Sequence, residues 1–277
     1  MFDSPPNSII LFVYSKVTHA KKWWHYYRTA SNGVGHGIHS PFIFDFVKNV
    51  LNDSREFYAF PPIESLRQKL RTDNTILQVD DLGAGSRIST SNQRTVSEIA
   101  KNALKSKKLA QFLFRLVNYY QPKTILELGT SLGITTAYLA AANANASVYT
   151  IEGVPAIAEI ARKNFRQLNL YNTQLIEGSF DLVLPMLLEK IKQVDLVFVD
   201  GNHRLEPTLK YFEWILKYSN EHTIMIFDDI HWSEEMEFAW KKIGQHPAIM
   251  CTVDLFFLGL VFLRKDFKEK QNFVIRF

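Results

Sequence analysis

Between residues 124 and 245, short apolar runs alternate with amphipathic stretches, and no other feature of the chain limits its fold as strongly. TILELG (124–129), SVYTIEG (147–153), TQLIEGS (173–179), VDLVFVDG (194–201) and TIMIFDD (223–229) have the length and apolar content of buried strands. The segments between them read as helices. Ile157, Ile160, Ala161, Phe165 and Leu168 share one face, with Pro155 at a first helical position. Leu205, Leu209, Phe212 and Leu216 form a second such face, and Met236, Trp240 and Ile243 a third. Ser233 is placed to cap this last helix, with Glu234 and Glu235 in its first turn, where the helix dipole favours acids. SLGITTAYLAAA and DLVLPMLLEKI complete the series, the latter with an internal proline. Ahead of the first strand, apolar residues at 109, 112, 113, 116, 117 and 120 give another amphipathic helix, ended by Pro122.

Strands buried on both faces and joined by helices build a parallel sheet covered on both sides. The segment 251–265 breaks the rhythm. It holds two strand-like runs around Leu258-Gly259 with no helix between them, which predicts an antiparallel hairpin at the end of the sheet. Residues 1–95 are far less regular. KKWWHYYR (21–28), SNGVGHGIHSPF (31–42), FIFDFVKNVL (42–51) and DDLGAGSR (80–87) suggest short helices joined by loops. The boundary near residue 95 divides an N-terminal, mainly helical addition (1–95), expected to cover the active site, from a sheet domain (96–277).

Bulk properties exclude several classes. The net charge of +4 is small and spread out, so it does not argue for a nucleic-acid partner. The aromatic and cationic KKWWHYYR suits single-stranded nucleic acid in principle, but fits better a helix packing Trp and Tyr on the core. A single cysteine, Cys251, rules out an intrachain disulfide and a cysteine-based metal cluster, and a buried, inert thiol is expected. The apolar run SIILFVY (8–14) falls short of the about 20 residues a membrane span needs. A soluble, unprocessed cytoplasmic protein is expected.

The chemistry concentrates in ILELGTSLGITT (125–136), where Glu127, Gly129 and Gly133 lie at a strand end that opens a helix. In an open parallel sheet the ligand crevice lies outside the carboxyl ends of the strands. The spacing Glu-x-Gly-x-x-x-Gly departs from the G-x-G-x-x-G of dinucleotide folds, which brings a helix N-terminus onto a pyrophosphate. Glu152 ends the second strand, where an acid accepts hydrogen bonds from ribose hydroxyls. The plain alternative is a strand–turn–helix glycine beside a solvated glutamate.

From about residue 97 to 265 the chain resembles class I S-adenosylmethionine-dependent methyltransferases, most of all the catechol and caffeoyl-CoA type of O-methyltransferase and their bacterial relatives. The resemblance implies a Rossmann-like three-layer sandwich with a seven-stranded, mostly parallel sheet and an antiparallel terminal strand. It also implies S-adenosylmethionine as cofactor, which has no phosphate and needs no strict phosphate loop. Glu127, Gly129, Ser131 and Gly133 would then line its methionine part, and Glu152 would hold the ribose. Gly178, Ser179 and Phe180 would border the adenine, and Asp200 would face the methionine end or the reacting centre. HGIHSPF (36–42) resembles the start of bacterial methyltransferases to which no chemistry attaches.

Asp200 ends the fourth strand in FVDGNH, and Asp228 and Asp229 end the fifth in FDDIHW. Neighbouring strand ends lie about 4.8 Å apart, so these carboxylates converge. Hard divalent cations such as Mg²⁺ take oxygen ligands. The catechol-type relatives hold a metal with an Asp after strand four and an Asp-Asn pair after strand five. Asp200 and Asp228 match that set, while Asp229 stands in place of the asparagine. The alternative is a group of solvated or hydrogen-bonded acids, with Asp229 capping the next helix. His203 and His231 follow the same two strands and are candidate general bases beside Asp200. His36 and His39 are lid candidates, with a structural loop as the simpler reading.

Methylation of exocyclic base nitrogens generally uses an Asn/Asp-Pro-Pro-Tyr/Phe motif after the fourth strand, where this chain reads DGNH. Cytosine C5 chemistry needs a thiolate at the cofactor, and Cys251 lies in the terminal hairpin. The expected reaction is methyl transfer to a small-molecule oxygen, and self-association as a homodimer is left open. The competing expectation is a non-catalytic cofactor-binding module or partner subunit. A nicotinamide dehydrogenase is disfavoured by the glycine spacing and the hairpin.

Overall fold

The computed structural model describes residues 13–35, 39–79 and 93–277. DDLGAGSR, His36 and the first part of SIILFVY lie outside them. Among the described residues the order is α1 (Lys16–Thr29), α2 (Pro41–Phe46) running into a π-helical turn (Val47–Leu51), α3 (Phe60–Thr72), β1 (Ile76–Gln78), β2 (Gln93–Thr95), α4 (Val96–Ala103) and α5 (Lys107–Tyr120). The alternating part follows: β3 (Thr124–Leu128), α6 (Ile134–Ala142), β4 (Ser147–Glu152), α7 (Pro155–Gln167), β5 (Thr173–Glu177), α8 (Phe180–Ile191), β6 (Leu196–Val199), α9 (Leu205–Leu216), β7 (Ile224–Asp228) and α10 (Glu234–Gln245). β8 (Cys251–Asp254), β9 (Leu258–Phe262) and β10 (Gln271–Val274) close the chain.

The main sheet has eight strands in the order β10-β8-β9-β7-β6-β3-β4-β5. β9 runs antiparallel to both its neighbours, β7 and β8, and the remaining pairs are parallel. The predicted hairpin is therefore present, but its turn falls at 255–257, and Leu258-Gly259 begins the returning strand. An eighth strand, β10, adds to the seven expected. Its half-exposed sequence QNFV lacks the continuous apolar run that marks the central strands.

Alternate residues of each strand feed the two faces. Ile125, Phe198, Ile226 and Phe262 point into one core, and Leu126, Val197, Phe227 and Val261 into the other. The second core is closed by α8, α9 and α10 through Leu184, Phe212 and Ile243. The first is closed by α5 and α6 and also by the N-terminal elements, through Ile43, Phe46, Val50, Phe60 and Ile63. Residues before 95 thus share a core with the sheet instead of burying one of their own. They also include a two-stranded antiparallel ribbon, β1 with β2, in a stretch that reads as loop.

Several local expectations hold. Ser233 caps α10 through the Met236 N–H, and Gln121 ends α5 in a left-handed conformation (φ 50°) just before Pro122. Tyr26 of α1 is buried and donates to the Ile275 carbonyl, whereas Trp24 is exposed, so KKWWHYYR packs only in part. Cys251 is a buried free thiol whose pKa burial pushes up to about 12. Among the described residues no helix is long and apolar enough to cross a membrane.

Candidate active site

Strand order reverses at β3, which pairs with β4 on one side and β6 on the other. In a parallel sheet such a switch point opens a crevice at the carboxyl ends. Here the crevice measures about 760 Å³, within the range of small-molecule sites. Gly129, Ser131, Glu152, Gly178, Ser179, Phe180, Asp200, His203 and Asp229 all line it. Glu127, Gly133, Asp228 and His231 do not.

The loop after β3 explains its own glycines. Gly129 has φ 101°, and a Cβ there would stand 2.0 Å from the Asp200 carbonyl oxygen, so the ends of β3 and β6 meet only if this residue has no side chain. Gly133 has φ 80°, and a Cβ would meet Phe165 at 2.6 Å and Ala161 at 3.3 Å. Gly133 is thus required for packing α6 on α7, and it is not among the residues that line the crevice. Between them Ser131 is also left-handed (φ 48°), with its Oγ buried and without a partner.

Two glutamates flank that loop. Glu152, at the end of β4, accepts the Ser131 N–H at 2.8 Å and the Val154 N–H at 3.0 Å. Burial raises its pKa against these bonds. Glu127 is fully buried beneath the crevice floor. Its Oε2 accepts from Thr150 at 2.7 Å and from Thr136, while its Oε1 has no partner. Burial, only partly opposed by the two threonines, pushes its carboxyl up to about 8. At the far end Phe180 meets Tyr211 edge-on at 5.8 Å, and Tyr211 donates to Asp181 at 2.8 Å.

The acid cluster contains a residue that the sequence did not flag. Lys105, in the short link between α4 and α5, places its Nζ 3.2 Å from Asp200 Oδ1 and in contact with Asp228 Oδ2. It stands in a run of lysines (105, 107 and 108) that reads as a solvated surface, and no spacing sets it apart. Its carbonyl accepts from buried Arg67 at 2.6 Å, and Arg67 pairs with Glu64 at 2.9 Å. Glu64 also accepts from Tyr138 of α6 at 2.8 Å. Burial opposes the charge of both Asp200 and Lys105, but their attraction wins: the lysine is held well above its usual range and Asp200 well below its own. Asp228 moves the other way, raised by burial and by the charge of Asp200.

The remaining acids and histidines differ from expectation. Ligand atoms of Asp200, His203 and Asp228 lie within 4.8 Å of one another, and Asp229 is not in that group. Asp229 has φ 53° and its N–H donates to the Phe257 carbonyl. Aspartate and asparagine tolerate this left-handed conformation better than most residues, so the backbone accepts either. It does not cap α10, where Ser233 does. The acids fit a metal poorly: Mg²⁺ sits about 2.1 Å from its oxygens, and Lys105 Nζ already holds that space. His203 lines the crevice with Nε2 3.6 Å from Asp200 Oδ1. His231 turns away. Its Nδ1 pairs with Glu237 at 2.9 Å and its Nε2 with Asp254 at 2.8 Å. Burial opposes its charge, but the two carboxylates raise its pKa to about 9. Both ring nitrogens of His231 are thus engaged by carboxylates, and the residue does not line the crevice.

Comparison with known proteins agrees with this geometry. A family model described as a methyltransferase domain matches residues 126–230. A catechol O-methyltransferase of Niastella koreensis is 33% identical over 123 residues, 43% of this chain and 55% of that one. A catechol O-methyltransferase of Mycobacterium tuberculosis is 28% identical over 160 residues, 57% of this chain and 69% of that one. The chain thus spans about half the length of the first relative and two thirds of the second. An O-methyltransferase from Bacillus cereus in complex with SAH superposes with a TM-score of 0.53 at 20% identity, covering 80% of this chain and 97% of that one. The fold is the one shared by this solved O-methyltransferase. Over part of its length the chain is similar to these two catechol O-methyltransferases.

Proposed function

We propose that the chain methylates an oxygen of a small-molecule acceptor with S-adenosylmethionine as donor. The observation that carries this reading is the crevice at the β3–β6 switch point, with Glu152 on one side and Asp200 and His203 on the other. The residues present fit the cofactor: Ser131 Oγ and Glu127 Oε1 are buried polar atoms without partners at the crevice and beneath its floor. Glu152 uses one lone pair of each oxygen on backbone N–H groups, which leaves acceptor capacity for ribose hydroxyls. Phe180, with Gly178 and Ser179, offers a flat apolar wall for the adenine.

When bound, the cofactor supplies a methyl group on a positively charged sulfur. Asp200, at the floor, favours that charge nearby. His203, in the crevice beside Asp200, would accept the proton that the acceptor oxygen loses on taking the methyl group. The rest of the site contributes by holding the acceptor in line. The N-terminal elements bear on the site from beside it, through Arg67, which anchors the Lys105 carbonyl. Nothing in the comparisons favours a non-catalytic module.

Calorimetry of the full chain with S-adenosylhomocysteine, followed by methyl transfer from labelled S-adenosylmethionine to catechol as a first probe, tests this. Binding tighter than about 1 mM is expected. Absence of binding defeats the reading. Binding with no transfer to any phenolic or enolic probe defeats the O-methylation part of it.

A further inference from the structure

The acid cluster of the crevice has the wrong occupant for a metal centre. Asp200, His203 and Asp228 bring three ligand atoms within 4.8 Å of one another, a spacing that suits a divalent cation. The ammonium of Lys105 lies among them, 3.2 Å from Asp200 Oδ1 and in contact with Asp228 Oδ2. A cation about 2.1 Å from those oxygens would overlap Nζ and be repelled by it. Moving the lysine out is not cheap. Its side chain is largely buried, and its backbone is tied by Arg67 to Glu64 and through Glu64 to Tyr138. The link between α4 and α5 is therefore built to keep this ammonium where it is.

We propose that Lys105 is the built-in cation of this site: it occupies the position between Asp200 and Asp228 and excludes a divalent metal from it. Of its three N–H donors, two face Asp200 and Asp228, and the third serves an oxygen of a ligand in the crevice that Lys105 lines. One positive charge then holds both carboxylates in place and presents a donor to the acceptor oxygen. That last role rests on the methyl-transfer reading. The exclusion of metal does not, and it is measured without turnover.

The test is Mn²⁺ titration of the full chain, following the paramagnetic resonance signal of the free ion, alone and with S-adenosylhomocysteine. Wild type and Lys105→Arg are expected to take up no stoichiometric Mn²⁺. Lys105→Met, which frees the three ligands, is expected to take up about one ion per chain, and the further change Asp228→Asn to abolish that uptake. Stoichiometric binding by wild type that Asp228→Asn removes would overturn the proposal even if Lys105→Met does not fold. A folded Lys105→Met with no gain in uptake also overturns it, because the lysine would then be standing in for nothing. Calorimetry with S-adenosylhomocysteine on the same samples separates the two readings. Failure there removes methyl transfer and leaves the ion result to be judged by itself.

Discussion

The N-terminal elements and the sheet solve the same problem, burial of an apolar face, by opposite means. The sheet does it by repetition. Each central strand sends alternate residues to two cores, and each helix returns one stripe. The N-terminal elements add Ile43, Phe46, Val50, Phe60 and Ile63 to one of those cores and are then fixed by single polar anchors. Arg67 holds the Lys105 carbonyl, Tyr14 and Lys22 hold Glu237, and Tyr26 holds the Ile275 carbonyl. The repetitive part makes a crevice anywhere its strand order reverses. The anchored part decides which charge stands in it.

The largest test of this contrast is to remove the anchored part. A fragment beginning at residue 96 exposes the core face that Phe46, Phe60 and their neighbours cover. Each such side chain contributes roughly 1.5–3 kcal/mol, and together they are comparable with a typical net stability of about 5–15 kcal/mol. The fragment is expected to be unfolded by circular dichroism. A folded fragment that binds S-adenosylhomocysteine as the whole chain does would make the two parts separable. Next comes Arg67→Ala, which leaves Glu64 with Tyr138 but no cation and the Lys105 carbonyl unanchored. A loss of about 3 kcal/mol in urea unfolding is expected, and a loss below about 1 kcal/mol would show that this anchor bears little. Glu152→Ala sharpens the other side. It should weaken S-adenosylhomocysteine by roughly 1.5–3 kcal/mol while the melting temperature changes little, and an unchanged affinity removes Glu152 from the site.

The smallest effect concerns pH. His231 has its pKa raised from 6.5 to about 9 by Asp254 and Glu237, against the opposing effect of burial. A cationic group raised on folding contributes stability that is fully present below 6.5 and is lost as pH rises through about 9. Wild type should therefore lose melting temperature over that window by more than His231→Gln does. Parallel curves for the two proteins would place the charge elsewhere.

Legibility in the sequence follows the same division. Period and run length reveal β3 to β7 and their helices, because burial on both faces leaves no choice of residue there. Gly129, Ser131, Glu152, Phe180, Asp200 and His203 are found in the crevice because strand ends fix them. Gly133 and His231 lie away from the crevice lining for physical reasons. A glycine needed by Phe165 has the same spelling as one needed by a ligand, and the two carboxylates that claim His231 are six and 23 residues away. Lys105 was missed because its partners come from β6 and β7 and its anchor from α3, none of them near in sequence. β10 was missed because an edge strand is free to be half polar.

The backbone of Ser31 is stitched to the last strand: its N–H donates to the Val274 carbonyl, and its own carbonyl accepts the Arg276 N–H. Beside it, Tyr26 reaches a residue 249 positions away. Chains emerge from the ribosome with their N-terminal part first. The segment around α1 therefore waits until residues 274–276 are made before its final partner exists. Tyr26, buried in the finished fold, spends that interval uncovered. Lys21 and Arg28 of the same helix keep charge beside that ring meanwhile, as residues that flank an aggregation-prone stretch do.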